Sequence, residues 1–371
     1  MYGALRPLLF VLPPHVAHAF AFAALWPPEH LAPLRAVLRC VARPADDARL
    51  ATTVMGLTFR SPIGLAAGFD KNAYRPRALA ALGFGHLEIG TVTALAQREN
   101  PRPNLFRLPS DRALVNRLGF PNEGAERVAA RLGAARASLG IPIGVSIGKS
   151  RAISPEDIQA VVADYIAAME RVRNVADFVV VNVSSPNTRG LRTLQAPRHA
   201  RTLLTALKDA LGPSGRMLVK IAPDLDEGGL EDILDVVEQL GLVGVVATNT
   251  TLARDGLRTP SRRLDAIGTG GLSGPPLRSR VLATVRRIRA RLGRRVVVVG
   301  VGGVETADQA LALIRAGADL VQIYTSFIYG GPFIASRIAR DLGEALEREG
   351  VKNAADLVAT DLTAPGADAH P

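Results

Sequence analysis

Short apolar runs recur eight times along this chain, and a stretch with helical spacing follows each of them. The strand candidates are residues 63–68, 86–93, 141–149, 177–185, 216–224, 243–250, 294–303 and 319–326. The helix candidates are residues 74–82, 123–139, 155–173, 198–211, 227–240, 276–292, 306–316 and 332–347. Continuous Val- and Ile-rich runs are typical of parallel strands that are buried on both faces. Eight strand–helix units in succession predict an α/β fold, the (β/α)8 TIM barrel.

The connections are uneven in length. The loops after the second and sixth strands, residues 94–122 and 251–275, are long, whereas the helix-to-strand connections are short. Long loops at the carboxyl ends of barrel strands mark the face that carries the active site.

The first 45 residues differ from the barrel pattern. Two short apolar segments, residues 4–11 and 15–26, are separated by Pro13 and Pro14. Each is shorter than the roughly 20 residues that span a bilayer. The pattern favours a pair of short amphipathic helices lying in a membrane interface. A helical hairpin packed on its own domain or on a second subunit is the alternative. We expect a membrane-associating segment at 1–45, a barrel at 46–350 and a tail at 351–371.

The composition excludes several classes of function. Hydrophobic residues make up 48% of the chain, so a large core is available, and the single cysteine, Cys40, cannot form an intrachain disulfide. The net charge is +11, and its densest stretch, residues 278–295, has eight arginines on a helical pattern. A solvated helix face explains that stretch better than a nucleic-acid site, so no nucleic-acid partner is expected.

Lysine is rare and unevenly placed. Only five of the 45 basic residues are lysine, and Lys71, Lys149 and Lys220 stand at the ends of strand candidates. Lysine is a compact cation whose pKa responds to its surroundings, which arginine cannot replace, so the three are predicted to have a function. Lys220 lies within an apolar run and needs an electron-rich partner, either a flavin or an acid such as Asp224.

Glycine turns occur near the ends of the last strands, at residues 271–274, 300–303 and 330–331. Backbone N–H groups of such turns bind phosphate in many barrels, so they indicate a phosphorylated cofactor. The strand ends offer few carboxylates and no histidine, and no metal site is therefore expected.

Ten motifs identify a family that this chain closely resembles. In chain order they are GLAAGFDKN, EIGTVT, NPRPNLFRL, NRLGFPNEG, NVSSPNTRGLR, VKIAPDL, ATNTTL, GTGGLSGPPL, VGVGGV and GADLVQIYT. They resemble those of the quinone-dependent (class 2) dihydroorotate dehydrogenases from about residue 50 to residue 345, and the N-terminal helices resemble the membrane extension of that class. The resemblance implies one FMN per chain, oxidation of dihydroorotate to orotate in pyrimidine biosynthesis, and a membrane quinone as final acceptor. A class 1-like FMN barrel dehydrogenase with a soluble acceptor is the alternative; class 1 enzymes use a cysteine as base, and Cys40 lies outside the barrel.

The resemblance also implies roles for individual residues, with Ser185 as the catalytic base. FMN would be held by Ala67, Gly68, Phe69, Asp70, Lys71, Thr91, Ser146, Asn182, Lys220, Thr248, Gly274, Gly303, Tyr324 and Thr325. Dihydroorotate would be held by Lys71, Asn116, Arg117, Leu118, Gly119, Phe120, Asn182, Asn187, Asn249 and Thr250. The quinone tunnel would include His18, Arg107 and Tyr324. Ser146 departs from the family, which usually has asparagine there, and it loses an amide donor and some reach toward FMN.

The same resemblance places the protein in the cell. A peripheral membrane protein on the cytoplasmic side is expected, which contacts the membrane surface and takes quinone from it. A monomer is favoured, because a membrane can cover the apolar N-terminal segment.

Overall fold

A computed structural model describes residues 2–363. Its strands are β1 (Thr52–Val54), β2 (Leu57–Phe59), β3 (Ile63–Leu65), β4 (His86–Val92), β5 (Leu105–Leu108), β6 (Ala113–Asn116), β7 (Ile143–Ile147), β8 (Phe178–Asn182), β9 (Met217–Ile221), β10 (Gly244–Ala247), β11 (Gly271–Ser273), β12 (Val297–Val301) and β13 (Leu320–Ile323). Its α-helices are α1 (Tyr2–Val11), α2 (Pro14–Ala24), α3 (Trp26–His30), α4 (Ala32–Ala42), α5 (Pro76–Ala81), α6 (Ala125–Arg136), α7 (Ile158–Val172), α8 (Pro197–Leu211), α9 (Glu227–Leu240), α10 (Ser261–Ile267), α11 (Arg278–Leu292), α12 (Ala307–Ala316), α13 (Thr325–Gly330), α14 (Ile334–Arg348) and α15 (Thr360–Thr363).

Eight parallel strands close into a barrel in the order β3, β4, β7, β8, β9, β10, β12 and β13, and β13 pairs with β3. These are the eight strands that the apolar runs predict, so the (β/α)8 fold is confirmed. Closure leaves the barrel no free edge. The register places Asn182 beside Lys220 on neighbouring strands, which brings two polar residues together at the carboxyl end.

A small sheet covers one side of that end. Strands β5, β6 and β11 form a three-stranded antiparallel sheet, in which Asn116 pairs with Gly271. They lie in the two long loops, and their pairing joins segments about 155 residues apart. The long loops are therefore partly ordered by each other.

The N-terminal segment has four helices, α1 to α4, where the sequence predicted two. The carboxylate of Glu29 is 3% exposed and accepts a hydrogen bond of 2.9 Å from the backbone N–H of Ala78. Arg75 Nε donates to the carbonyl of Phe22 at 3.0 Å. These contacts tie α2 and α3 to the start of α5. Along residues 2–363, no helix is long and apolar enough to cross a membrane.

The chain after residue 350 stays on the barrel as far as it is described. Ala354 and Val358 are buried and belong to the main core. The rest of the expected tail, residues 364–371, lies outside the described residues.

Candidate active site

The carboxyl ends of the barrel strands surround a cleft, at the face where (β/α)8 barrels bind their ligands. Most of the residues that the sequence analysis assigned to FMN, to substrate or to catalysis line it. They are Ala67, Gly68, Lys71, Thr91, Asn116, Leu118, Gly119, Phe120, Asn182, Ser185, Asn187, Lys220, Thr248, Asn249, Thr250, Gly274, Gly303, Tyr324 and Thr325. Residues from distant parts of the sequence therefore meet in one place.

Six assigned residues do not line this cleft. They are His18, Phe69, Asp70, Arg107, Arg117 and Ser146. Ser146 is fully buried, and its hydroxyl lies 3.0 Å from that of Thr91, so it supports Thr91 from behind. Arg117 points outward and donates to the carbonyls of Ile267 and Thr269 at 2.6 and 3.0 Å.

Asp70 shapes the backbone instead of facing the cleft. Its carboxylate accepts hydrogen bonds from the N–H groups of Asn72, Tyr74 and Arg75 at 3.3, 2.9 and 2.8 Å. These bonds fold the turn that carries Lys71. Lys71 itself donates to the carbonyl of Gly68 at 2.5 Å.

Lys220 has an acidic partner, Glu88, that was not among the predicted site residues. Its ammonium lies 3.6 Å from Glu88 Oε1, and Glu88 is in turn bonded by Gln322 Nε2 at 2.8 Å. Asp224, the acid named as an example of the alternative to a flavin, pairs with Arg192 at 2.8 Å. Glu88 and Gln322 lie inside the apolar runs of β4 and β13. Alternate residues of a barrel strand point into the barrel, and this alternation was the only feature of the sequence that could have indicated them.

Lys149 does not reach the cleft. It is buried and donates to the carbonyls of Ser150, at 3.0 Å, and Ile153. Of the three strand-end lysines, Lys71 and Lys220 line the cleft and Lys149 does not, since its ammonium stabilises a turn.

The glycine end of the cleft fits a phosphate group. Gly274, Gly302 and Gly303 line it, each with a positive φ that exposes the backbone. A Cβ built on Gly303 would lie 2.8 Å from Arg278 Cβ, so a side chain there would crowd the turn. The hydroxyl of Ser326 also lines this end and is buried without a hydrogen-bond partner among the described residues. The third predicted turn is not part of the site, since Gly331 packs against Tyr2.

The opposite end fits the ring of a flavin. Asn182 Nδ2 donates to Thr91 Oγ1 at 2.9 Å, beside Lys220. The amide oxygen of Gln322 is buried and unpaired within the described structure, and Gln322 lines the cleft. A cation, an amide and unsatisfied polar atoms match the hydrogen-bonding edge of an isoalloxazine. The donor set therefore fits the FMN that the motifs imply.

Ser185 lies at the start of a loop that bends over the cleft. Its side chain is 5% exposed, and its Oγ accepts a hydrogen bond from the N–H of Asn187 at 3.2 Å. Pro186 packs near Gly271 of β11, because a Cβ on Gly271 would lie 3.2 Å from Pro186 Cγ. The loop thus closes against the small sheet.

Three asparagines, one of them from that loop, line the cleft near Ser185. Asn187 Nδ2 donates to Asn116 Oδ1 at 3.1 Å, and Asn249 Nδ2 donates to Ser184 Oγ at 3.0 Å. Thr250 N–H donates to Asn249 Oδ1 at 2.8 Å. Amides in this arrangement offer both donors and acceptors to a ring that carries amide groups.

A second, more open cavity adjoins the first. His18 and Phe69 line it, and Lys71, Leu118 and Tyr324 line both cavities. The ring of His18 lies edge-on to Phe69 at 5.3 Å, and Phe69 lies 6.2 Å from Tyr324. Burial, together with the charge of Lys71, lowers the pKa of His18 to about 4, so the imidazole is neutral near pH 7.

Arg107 lines neither cavity. Its guanidinium donates to the carbonyls of Phe10 and Leu12 at 3.2 and 2.7 Å and lies over the ring of Phe10. It fastens the link between α1 and α2 to strand β5.

Comparison with known proteins agrees with this geometry. The family model of dihydroorotate dehydrogenase matches residues 49–346. The chain is similar to dihydroorotate dehydrogenase (quinone) of Rhodococcus opacus, with 51% identity over 96% of this chain and 98% of that protein. It is also similar to the protein of the same name from Mycobacterium tuberculosis, with 49% identity over 94% of each chain.

A solved structure agrees as well. A dihydroorotate dehydrogenase of Eimeria tenella, crystallised with ferulenol, superposes with a TM-score of 0.83 at 35% identity, over 95% of this chain and 96% of that one. The family predicted from the motifs is therefore confirmed, and the chain belongs to the dihydroorotate dehydrogenase family.

Proposed function

We propose that this chain oxidises dihydroorotate to orotate in pyrimidine biosynthesis, with FMN as the hydride acceptor and a quinone as the final electron acceptor. The observation that carries the proposal is the meeting of Ser185, Lys71 and the three asparagines above a cleft whose donors fit FMN. The names of the similar proteins support the quinone as acceptor.

In this proposal some residues of the cleft bind FMN and others bind the substrate. Lys220, Asn182 and Thr91 hold the ring of FMN, and the glycine turns with Ser326 hold its phosphate. When bound, FMN would supply the acceptor for the hydride at carbon 6 of dihydroorotate. Lys71 pairs with the substrate carboxylate, and Asn116, Asn187 and Asn249 bind its amide groups.

Ser185 would remove the proton from carbon 5 of the substrate. A serine hydroxyl is a weak base near pH 7, so its own proton must leave as the substrate proton arrives. Thr250 and an ordered water are the proposed path. The loop over Ser185 keeps bulk water from the reacting carbon.

Flavin spectroscopy tests the proposal directly. The purified protein should be yellow, and dihydroorotate added without oxygen should bleach it. A quinone should then restore the colour, whereas fumarate or NAD should not, which separates this function from that of a class 1-like enzyme. A colourless protein, or a flavin band that dihydroorotate leaves unchanged, would contradict the proposal.

Lys71 gives the proposed site a pH dependence. Burial lowers the pKa of Lys71 to about 8, against the opposing effects of Asp70 and Glu99. The ammonium is therefore charged below about pH 8 and becomes neutral above it. Orotate, whose carboxylate should pair with that charge, is expected to bind about tenfold more weakly for each pH unit above the pKa. Titrating the yellow protein with orotate and following the flavin spectrum measures this.

The Lys71→Met variant is the control for that titration. It should bind orotate weakly, with an affinity that does not change across the same pH range. A wild-type affinity that stays constant through pH 8 would contradict the role of Lys71.

We further propose that residues 1–45 bind the cytoplasmic surface of the cell membrane and that the protein acts there as a peripheral monomer. Nine of the eleven large hydrophobic side chains that are exposed among the described residues belong to this segment: Leu5, Leu8, Val11, Phe20, Trp26, Leu31, Leu34, Val37 and Val41. Arg39 and Arg43 are exposed beside them. Apolar side chains with nearby arginines suit an anionic membrane interface.

Replacing two of these side chains should release the protein from membranes. Leu8 is 69% and Val11 is 84% exposed, so Leu8→Glu with Val11→Glu should leave the fold intact. Binding to anionic lipid vesicles, measured by sedimentation, is expected to weaken by at least about tenfold. Leu95→Glu, at a residue that is 52% exposed outside the segment, is the matched control and should still sediment.

A further inference from the structure

Arg192 sits just beyond the loop that carries Ser185, on a short helical turn (Leu191–Gln195). Leu191 and Leu194 of this turn are fully buried in the main core. The turn is therefore held against the barrel, whereas residues 186–190 before it are partly or fully exposed. The side chain of Arg192, which starts from this turn, can therefore restrain the backbone segments that it contacts.

The guanidinium of Arg192 connects three separate segments. Its Nε donates to the carbonyl of Ser184 at 3.0 Å, and one Nη donates to the carbonyl of Thr250 at 2.9 Å. The other Nη donates to Asp224 Oδ2 at 2.8 Å. The first carbonyl belongs to the residue directly before Ser185, and the second belongs to Thr250 itself.

The carboxylate of Asp224 is held in place by other hydrogen bonds while it pairs with that guanidinium. It also accepts hydrogen bonds from the hydroxyl of Thr251 and, at 3.0 Å, from the N–H of Leu252. Burial acts to raise the pKa of Asp224, but these bonds and Arg192 outweigh it and hold the pKa below its ordinary value. The carboxylate stays charged near pH 7, and the fixed, planar fork of arginine is oriented on all three acceptors.

We propose that Arg192 is a positioning residue for the reaction. It fixes the backbone on both sides of the proton path and so sets the position of Ser185 relative to Thr250. Asp224 orients Arg192 and touches neither residue's side chain. The inference rests on the proposed function, because Ser185 and Thr250 act on the substrate only there.

The test compares substitutions of Arg192 in the FMN-loaded, full-length protein. Arg192→Ala should slow flavin reduction by dihydroorotate about tenfold, the effect expected when one charge-assisted hydrogen bond no longer aligns a reacting group. The KM for dihydroorotate and the FMN content should change little, because Arg192 lines neither cavity. Added guanidinium should restore part of the rate. Arg192→Lys should be intermediate, since a lysine can keep the pairing with Asp224 but lacks the fork.

Two further variants keep the inference testable. Arg189→Ala removes an exposed arginine of the same loop and should behave as wild type. Asp224→Asn keeps the shape of the carboxylate and should give the same pattern as Arg192→Ala, with a smaller loss, even if Arg192→Ala does not fold. Hydrogen exchange of the amides of residues 184–189 should become faster in Arg192→Ala and Asp224→Asn and stay unchanged in Arg189→Ala.

The outcomes separate the inference from the proposed function. If dihydroorotate fails to bleach the wild-type flavin, the proposed function is wrong. If it bleaches the wild type and folded Arg192→Ala equally fast, the positioning role is wrong. A loss in Arg192→Ala that appears only in KM, or that guanidinium does not relieve, also contradicts it.

Discussion

Replacing Ser185 with alanine should slow the reduction of bound FMN by dihydroorotate by about 100- to 10,000-fold, the range that a positioned general base contributes. Ser185 lines the cleft at the start of the loop that closes over it, and its Oγ accepts a hydrogen bond from the N–H of Asn187 at 3.2 Å. Alanine removes the oxygen that would take the proton and leaves the rest of the loop in place. Stopped-flow absorbance of the flavin, with dihydroorotate and without oxygen, measures the rate.

The binding functions should survive this change. None of the residues proposed to hold FMN is bonded to Ser185 Oγ in the described structure, so FMN content and orotate affinity should stay close to those of wild type. Ser154→Ala, which removes an exposed serine before α7, is the matched control. Reduction of Ser185→Ala at the wild-type rate would exclude Ser185 as the base.

The barrel could be predicted because its signal is local. Each strand is a short apolar run and each helix has its own spacing, so β3, β8 and β12 are recognisable without any knowledge of their neighbours. The sheet of β5, β6 and β11 could not be predicted in this way. Its strands are short, and β11 pairs with β6 across about 155 residues, a contact that no local pattern reports.

The site was predictable where side chains follow the ends of strands, and not where they point into the barrel. Thr91, Asn182 and Thr248 line the cleft as expected. Glu88 and Gln322 lie within strands, where an apolar run hides single polar residues, and their contact with each other depends on barrel closure. Ser146 lies near the end of β7, where a strand-end residue is expected to reach the cleft, but it does not line it. Its hydroxyl contacts that of Thr91, which does line the cleft.

The N-terminal segment shows why the boundary of a functional unit cannot be taken from composition alone. Apolar residues run through the whole segment, with charged residues among them, but its two halves meet the barrel differently. In α3, Glu29 is buried and bonded to Ala78, whereas α1 and α2 have no buried residue along their described lengths. Removing the first two helices alone is therefore the change that spares the barrel.

Deleting residues 1–24 should lower kcat/KM for quinone by about 100-fold while a soluble dye is still reduced at nearly the wild-type rate. The deletion removes His18 and Phe22, whose ring centroids lie 5.3 and 5.6 Å from that of Phe69. Both residues line the cavity that reaches Tyr324. We propose that quinone occupies this cavity, and losing its apolar contact there corresponds to about 3 kcal/mol, or roughly 100-fold. Steady-state assays with dihydroorotate and each acceptor measure the two rates.

A short-tailed, water-soluble quinone distinguishes the cavity from the membrane as the cause. The Leu8→Glu, Val11→Glu variant keeps His18 and Phe22 and should reduce this quinone normally, although it no longer binds vesicles. The deletion should fail with the same quinone, since it lacks the wall of the cavity. If the deleted protein turned over the soluble quinone as fast as the wild type, quinone would have to reach the flavin by a route that does not pass α2, and His18 would have no part in it.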